Sequence, residues 1–417
     1  MWGKRKAKTG LFPKIANLFE PTPMVKHTFR TIAFLIAWGI LPKVILAQGN
    51  AMPKPRLTIF IPLMLDSSVV EGKPVYTKSI PAPLMNALDF YNGVQIAAGE
   101  LEAQGIAARI QVIDSKAPDC MNKFFRDTAF EGKGIVIAAV QTSAELKAIA
   151  DKLKPLEVPL ITILPSDAGI WGYPQMMITN STLKVHCEQL HLFLQRNHSI
   201  DNLVLLNMPG NAEAKLLQYL KDFNKTTKSV PLSWNEMPYA DPTPVEKFLP
   251  KLDSNRLNVI VAPSLNTTTA QKIVKMLSTL APKYRTAVFG MPTWETINFS
   301  KTEFKSVDVW YGTPFLTSSG NSLLNDEFNK KYKELTNSKP GDMAYRGYEL
   351  TFRYVRTLSQ YGPTFLGHIN DYKFKLFNDF EFEPVSLREN GAVDYLENQK
   401  IYFIKKTDGA IRTILSP

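Results

Sequence analysis

The chain has 417 residues, of which 45% are hydrophobic and 21% charged, the composition of a water-soluble globular protein. This length is too great for one hydrophobic core and predicts about two or three domains. The formal net charge of +11 suggests nucleic-acid binding, but eight basic residues and only one acidic residue lie before residue 48. The remainder is close to balanced and has no arginine-rich run, which argues against nucleic acid as a partner.

The N-terminal segment has the pattern of an export signal. Basic residues precede an apolar stretch of eleven residues from Thr31 to Leu41, and small residues follow it. Such a stretch is within the range of signal peptides and shorter than the roughly 20 residues of a membrane span. We therefore predict that residues 1–48 are a signal peptide, or an uncleaved anchor because Lys43 lies close to the cleavage point. The remaining chain is then periplasmic, and we expect it to contact the membrane only if this segment is retained uncleaved.

Seven apolar, β-branched runs predict strands buried on both faces of a parallel sheet, because they are continuous and do not alternate. The runs are Leu57–Leu63, Arg109–Ile113, Gly134–Val140, Pro159–Leu164, Asn202–Leu206, Leu257–Ala262 and Thr286–Phe289. Apolar residues at three- and four-residue steps predict helices over 84–101, 146–153 and 273–280. Strands and helices alternate, so the predicted fold class is α/β with right-handed βαβ units.

Two strand-to-helix turns have the spacing of a helix capping box. Thr142 and Glu145 follow the third strand, and Thr268 and Gln271 follow the run that ends at Ala262. Ligands of open α/β sheets bind at the carboxyl edge, where helix N-termini present free N–H groups that favour anions. The two turns are therefore either ordinary helix caps or opposite walls of a ligand site.

Several segments match, in order and spacing, motifs of a known family. They are Leu57–Leu63, Phe90–Ala97, Ile110–Ser115, Val158–Ser166, Phe289–Trp294 and Ala344–Thr351. The last segment, with Ala-Tyr-Arg-Gly-Tyr-Glu, is similar to the late Ala-x-x-Gly-Tyr-Asp helix of that family. From Arg56 to about Thr413 the chain resembles the type I periplasmic binding proteins, the fold of the branched-chain amino-acid receptors of ABC transporters.

The resemblance implies two lobes, each a parallel sheet flanked by helices, joined by three crossing strands. We place lobe 1 at 55–178 with 313–371, and lobe 2 at 179–312 with 372–417. The implied cleft is lined from lobe 1 by Gln141, Thr142, Ser143, Ser166 and Asp167. It is lined from lobe 2 by Asn207, Gly210, Asn211, Ser264, Leu265 and Met291. In the family, the turn corresponding to Gln141–Ser143 binds the ligand carboxylate. Trp171 and Tyr173 are expected either to stack on a ligand or to pack internally.

The chain also departs from the family pattern. Ala139 and Val140 replace the Gly-Pro pair that usually precedes the carboxylate-binding turn, and no acidic residue is evident in the turns of lobe 2. These departures argue against a standard free amino acid as the ligand. We expect a solute-binding protein that closes on a small ligand, which is amino-acid-like, a peptide or an envelope fragment. An ABC permease is the partner that the resemblance implies. The alternative is an envelope interaction protein, for example a regulator of a cell-wall synthase, that uses the same fold without transport.

No nucleophile elbow, phosphate-binding loop or dinucleotide motif is present in the sequence, and we expect no enzymatic activity and no cofactor. His186 and His191 are five residues apart and do not share a helix face. Cys187 and His191 supply two ligands where zinc needs three or four, so we interpret this segment as a solvated helix face and expect no metal site. Ser181 is expected to be a helix N-cap. The only cysteines, Cys120 and Cys187, are expected to be reduced and unpaired.

Overall fold

The computed structural model describes most of the chain after the predicted leader. The described ranges are 54–71, 73–76, 79–127, 134–164, 170–316, 322–389 and 391–415. The predicted signal peptide or anchor at 1–48 lies outside them. Within these ranges no helix combines the length and apolar character needed to cross a membrane.

The first sheet has seven strands among the described residues, in the order β13-β14-β7-β6-β5-β1-β4. They are β1 (Arg56–Ile61), β4 (Arg109–Asp114), β5 (Gly134–Ala138), β6 (Leu160–Thr162), β7 (Met176–Ile178), β13 (Phe382–Val385) and β14 (Tyr395–Asn398). All neighbours are parallel except β13, which pairs with β14 in the antiparallel direction. A short hairpin of β2 (Val69–Val70) and β3 (Lys73–Pro74) follows β1 and the single-turn helix α1 (Leu65–Ser68).

The second sheet also has seven described strands, in the order β16-β15-β12-β11-β10-β8-β9. They are β8 (Asn202–Asn207), β9 (Asn235–Pro238), β10 (Asn258–Val261), β11 (Thr286–Phe289), β12 (Asp308–Thr313), β15 (Tyr402–Thr407) and β16 (Ala410–Leu415). The strands from β9 to β12 are parallel, whereas β15 and β16 are antiparallel additions. All seven predicted strands are confirmed with ends within two residues. Six of the runs are buried on both faces, whereas β4 lies at the edge of the first sheet and most of its residues are only partly buried.

Helices flank both sheets and confirm the predicted α/β class. Those beside the first sheet are α2 (Ala82–Ala103), α3 (Cys120–Asp127), α4 (Ser143–Leu153), α8 (Ser322–Thr336) and α9 (Asp342–Tyr361). Those beside the second are α5 (Leu183–Asn197), α6 (Asn211–Thr226) and α7 (Thr267–Leu280). The helices α2 and α9 cross at two glycines, because Gly347 lies against the backbone of Phe90 and Gly93 against the backbone of Ala344. This close approach explains why the late helix motif contains a glycine.

Three segments connect the two sheets among the described residues. They are 179–182 between β7 and α5, 314–316 after β12, and 399–401 between β14 and β15. β7, β14 and β12 all enter these segments from their carboxyl ends, and β15 begins opposite Thr313 at the end of β12. Each crossing therefore joins the carboxyl edge of one sheet to the carboxyl edge of the other. The two edges that bind ligands in α/β proteins consequently face each other.

The predicted return of the chain to lobe 2 at residue 372 is wrong. β13 and β14 extend the first sheet, and the chain enters the second sheet only at Tyr402. The reason is aromatic burial, since Phe377 and Phe380 pack in the core under the first sheet. Lobe 1 is therefore defined as 54–178 with 314–398, and lobe 2 as 179–313 with 399–415.

Candidate ligand site

The lobe 1 wall is the turn between β5 and α4. The predicted capping box is confirmed: the backbone N–H of Glu145 donates to Thr142 Oγ1 at 3.3 Å, and the backbone N–H of Thr142 donates to Glu145 Oε2 at 3.2 Å. The Thr142 hydroxyl also donates to Glu145 Oε2 at 2.8 Å. Burial alone would raise the pKa of Glu145, but hydrogen bonds from Lys116 and Thr142 outweigh it and hold the pKa below its usual value. The cap therefore already uses the Thr142 hydroxyl. If this hydroxyl donated to a ligand carboxylate, as predicted, it would have to give up its hydrogen bond to Glu145.

In this turn, Ser143 has a side chain that can bind a ligand without breaking a hydrogen bond of the protein. It is exposed, and within the described part of the chain its hydroxyl has no hydrogen-bond partner. The backbone N–H groups of Ser143 and Ala144 precede the first intrahelical hydrogen bond of α4 and are free to donate. Gln141 is exposed, but its side-chain amide donates to the carbonyl of Pro83 at 2.9 Å and fixes the turn against the start of α2.

The other residues that the sequence suggested for lobe 1 are two polar residues and two aromatic residues. Ser166 and Asp167 lie outside the described residues. Tyr173 is fully buried and donates its hydroxyl to the carbonyl of Val158, so its interpretation as a packing residue is confirmed. Trp171 is exposed but lies shortly before β7 begins, at the amino edge of the sheet. A stacking role at the carboxyl edge is therefore wrong for both aromatic residues.

The lobe 2 wall contains a carboxylate that sequence analysis missed. Glu213, in the first turn of α6, accepts a hydrogen bond from the hydroxyl of Ser264 at 2.8 Å. The other carboxylate oxygen of Glu213 lies over Gly210, where an added Cβ atom would come within 2.2 Å of it. Gly210 also has a φ of 124°, which residues with a side chain rarely adopt. Both the closeness of Glu213 and this backbone conformation therefore require glycine here. The expectation that the turns of lobe 2 lack an acidic residue is wrong.

Glu213 changes the chemistry of this wall. The carboxylate lies in the first turn of α6, where it interacts favourably with the positive end of the helix dipole. The predicted wall residues Asn207, Gly210 and Asn211 are exposed. The wall thus presents hydrogen-bond acceptors and amides, which suit a cationic or donor group on a ligand.

Ser264 is a positioning residue in this arrangement. Its side chain is 1% exposed, and its hydroxyl also accepts the backbone N–H of Asn266 at 3.1 Å. The predicted capping box of Thr268 and Gln271 is wrong, because α7 begins earlier and Asn266 is its N-cap. The Asn266 carboxamide accepts the N–H groups of Thr268 and Thr269.

The remaining residues predicted for lobe 2 are partly or fully enclosed. Leu265 is half-buried, and its carbonyl accepts the hydroxyl of Thr293 at 2.9 Å. Met291 is 1% exposed and packs in the core of lobe 2, which contradicts its predicted place on the cleft surface. The cause is Trp294, which folds back over the turn and donates its indole N–H to the carbonyl of Ser264 at 3.0 Å.

Helix α5 corrects two further expectations. His186 and His191 are both buried, so the interpretation as a solvated helix face is wrong. Ser181 is not the cap, because Thr182 accepts the N–H of Val185, while the Ser181 hydroxyl donates to the backbone carbonyl of Asn398 at the end of β14. Cys120 and Cys187 are free thiols, as expected. The described residues contain no cluster of three or more side chains suited to a metal ion.

No protein-family model matches the chain, and no curated protein matches it. Solved structures do. A putative branched-chain amino acid ABC transporter protein from Rhodospirillum rubrum superposes with a TM-score of 0.61 at 13% identity, covering 87% of this chain and 100% of that one. A branched-chain amino acid ABC transporter periplasmic ligand-binding protein from Burkholderia xenovorans gives 0.53 at 12% identity, covering 88% and 96%. An ABC transporter substrate-binding protein from Desulfitobacterium hafniense, in complex with leucine, gives 0.51 at 13% identity, covering 87% and 100%. These likenesses confirm the predicted two-lobed type I periplasmic binding protein fold.

Proposed function

We propose that the chain is an extracytoplasmic solute-binding protein whose lobes close on a small ligand at their facing carboxyl edges. One observation carries the proposal: each lobe presents an exposed polar helix N-terminus at this edge, around Ser143 in lobe 1 and Glu213 in lobe 2. A ligand between two such turns is enclosed when the lobes rotate about the crossing segments.

The polarity of the two walls indicates the ligand class. The lobe 1 turn offers the Ser143 hydroxyl and free backbone N–H groups, which suit a carboxylate or another acceptor. The lobe 2 turn offers the Glu213 carboxylate, which suits an ammonium group or another donor. An amino-acid-like ligand has both groups, and so does a peptide or envelope fragment that retains an amine and a carboxylate. The names of the similar structures, which include branched-chain amino acid binding proteins and a leucine complex, support this class.

Transport through an ABC permease is the corresponding cellular role. The names of the similar structures support it, and so does the export signal predicted in residues 1–48.

Native mass spectrometry of the purified protein, followed by identification of the released small molecule, tests this proposal. The identified compound is then titrated calorimetrically into wild type, Ser143→Ala and Glu213→Gln. Each variant should lose about ten- to hundredfold in affinity, the range for a hydrogen bond to a charged partner. Glu236→Gln is the matched control, because this lobe 2 carboxylate pairs with Lys221 at 2.7 Å further along α6. Unchanged affinity in both site variants would contradict the proposed site and favour the envelope interaction protein.

A further inference from the structure

The crossing segment 314–316 is bound to the rest of lobe 1 through an asparagine side chain. Asn378 lies between α9 and β13, and its Oδ1 atom accepts the backbone N–H of Leu316 at 2.6 Å. Its Nδ2 atom lies 3.4 Å from the carbonyl oxygen of Leu316, to which it donates. The side chain of Leu316, in contrast, packs in the core of lobe 2. Leu316 therefore fastens the two lobes together, with its backbone held by lobe 1 and its side chain by lobe 2.

Glu349 fixes the orientation of this carboxamide. It lies on α9, within the late helix motif, and is 1% exposed. Its Oε1 atom accepts the backbone N–H groups of Phe377 at 3.0 Å and of Asn378 at 2.7 Å. Its Oε2 atom accepts a hydrogen bond from Asn378 Nδ2 at 2.6 Å, and this contact turns Oδ1 toward Leu316. The carboxylate and the crossing segment are thus joined through one side chain.

A proton on Glu349 would disturb this arrangement. Because Oε1 already accepts two N–H groups, the proton would bind to Oε2, where an O–H donor would face the Nδ2 donor of Asn378. Turning the carboxamide over would remove this conflict but would place Nδ2 against the N–H of Leu316. Burial raises the pKa of Glu349 to about 7, since the N–H donors and Arg353 offset the loss of hydration only in part. Both protonation states are therefore populated near neutral pH.

Several other charged or titratable groups surround Glu349. Those whose charges act on it are Tyr348, Arg353 and Tyr354 on α9 and Tyr402 on β15. Burial raises the pKa of each of these tyrosines and arginine stays charged, so none of the four changes its charge near neutral pH. Asp379 pairs with Lys375 at 2.7 Å, and His368 pairs with Asp371 at 3.0 Å. Glu349 is therefore the titratable group that acts on the carboxamide directly.

We propose that Glu349 and Asn378 form a proton-sensitive clamp on the crossing segment, which is engaged when Glu349 is ionised and released when it is protonated. With the clamp engaged, this crossing bends only between Thr313 and Leu316. With the clamp released, Leu316 joins the part that bends, and the lobes rotate more freely. Glu349 is thus a positioning residue that acts through Asn378. The proposal concerns how the lobes move with any ligand or none, so it goes beyond the proposed function.

Hydrogen exchange in the purified, ligand-free protein tests the clamp itself. The ratio of observed to intrinsic exchange rate is measured at about pH 5.5 and about pH 8.5, on either side of the pKa of Glu349, for peptides containing Leu316 and residues 377–378. In wild type these amides should be about tenfold less protected at the acid pH, the effect of losing one hydrogen bond. Glu349→Gln should show the lower protection at both pH values, because the new amide places a donor where Oε2 accepts.

Distances between spin labels test the consequence for the lobes. Labels are attached to cysteines introduced at the exposed positions Lys147 on α4 and Lys225 on α6, in a Cys120→Ser background. Wild type should give a broader distance distribution at the acid pH than at the alkaline pH. Glu349→Gln should give the broad distribution at both, because its clamp is released throughout.

Three variants keep the test specific. Glu397→Gln is the matched control, because Glu397 is also a buried carboxylate beside a crossing and accepts the backbone N–H of Thr182 at 2.7 Å. Glu397→Gln and His368→Gln should both keep the response to pH of wild type. Asn378→Ala should lower the protection of the Leu316 peptide at both pH values, which tests the clamp even if Glu349→Gln fails to fold. A wild type that does not respond to pH, or a response that survives in Glu349→Gln or disappears in either control, would overturn the proposal.

Discussion

The crossing of α2 and α9 offers a sharp test of the fold through two glycines of one helix. An added Cβ atom at Gly93 would lie 2.1 Å from the carbonyl oxygen of Ala344 and 2.7 Å from the backbone nitrogen of Tyr348. Because both contacts are backbone atoms, no side chain can move aside, and the helices must separate by about 1 Å. We expect Gly93→Ala to lower the free energy of unfolding by about 3 kcal/mol, the upper end for overpacking.

Gly99 is the matched control on the same helix, since an added Cβ atom there meets no atom within 4 Å. Gly99→Ala should raise the free energy of unfolding by about 0.5–1 kcal/mol, because alanine loses less backbone entropy in a helix. Urea unfolding followed by circular dichroism measures both variants under the same conditions. If Gly93→Ala unfolds at the same midpoint as wild type, or if Gly99→Ala is the less stable of the two, the described helix packing is incorrect.

Three further predictions concern the described residues. Burial raises the pKa of Glu349 to about 7 from 4.5, so the folded chain keeps a proton that the unfolded chain releases, and this stabilising contribution is lost as the pH rises from 4.5 to 7. In wild type the midpoint of urea unfolding should therefore fall between pH 4.5 and 7, and Glu349→Gln should reduce this fall. An equal fall in the variant and in wild type would contradict the raised pKa of Glu349. Thr142→Ala should lower the free energy of unfolding by about 1 kcal/mol through loss of the cap, measured by urea unfolding; no loss would contradict the capping box. Cys120 should react with a thiol reagent in the native protein, and the buried Cys187 only after denaturation; two native thiols reacting equally fast would be inconsistent with the described burial.

The sequence predicted the parts of the fold that depend on local pattern. Buried parallel strands such as β5 and β10 are continuous apolar runs, and the Thr142–Glu145 cap spans one helical turn. Glu213 was missed because its partner Ser264 is 51 residues away, so only the tertiary fold brings them together.

The return strand β14 was missed for a different reason. Its last residues, Glu397 and Asn398, are polar and do not resemble a buried strand, yet both are buried. They bind the backbone of the neighbouring crossing segment, where Glu397 Oε1 accepts the N–H of Thr182 at 2.7 Å and Asn398 Nδ2 donates to the carbonyl of Thr179 at 3.2 Å. Buried polar groups must be paired, and here both side chains pair with the crossing segment, while Asn398 Oδ1 also accepts the N–H of Glu381 directly before β13.

Hydrogen exchange with and without the co-purified small molecule tests the central claim most directly. If the ligand binds between the facing carboxyl edges, amides at 141–146 in lobe 1 and at 207–214 in lobe 2 should gain protection together, at the same ligand concentration. Amides around Ile200 and Arg256, at the amino edge of lobe 2, should not change. Protection confined to one lobe, or present only at the amino edge, would contradict closure of the two lobes on a shared ligand.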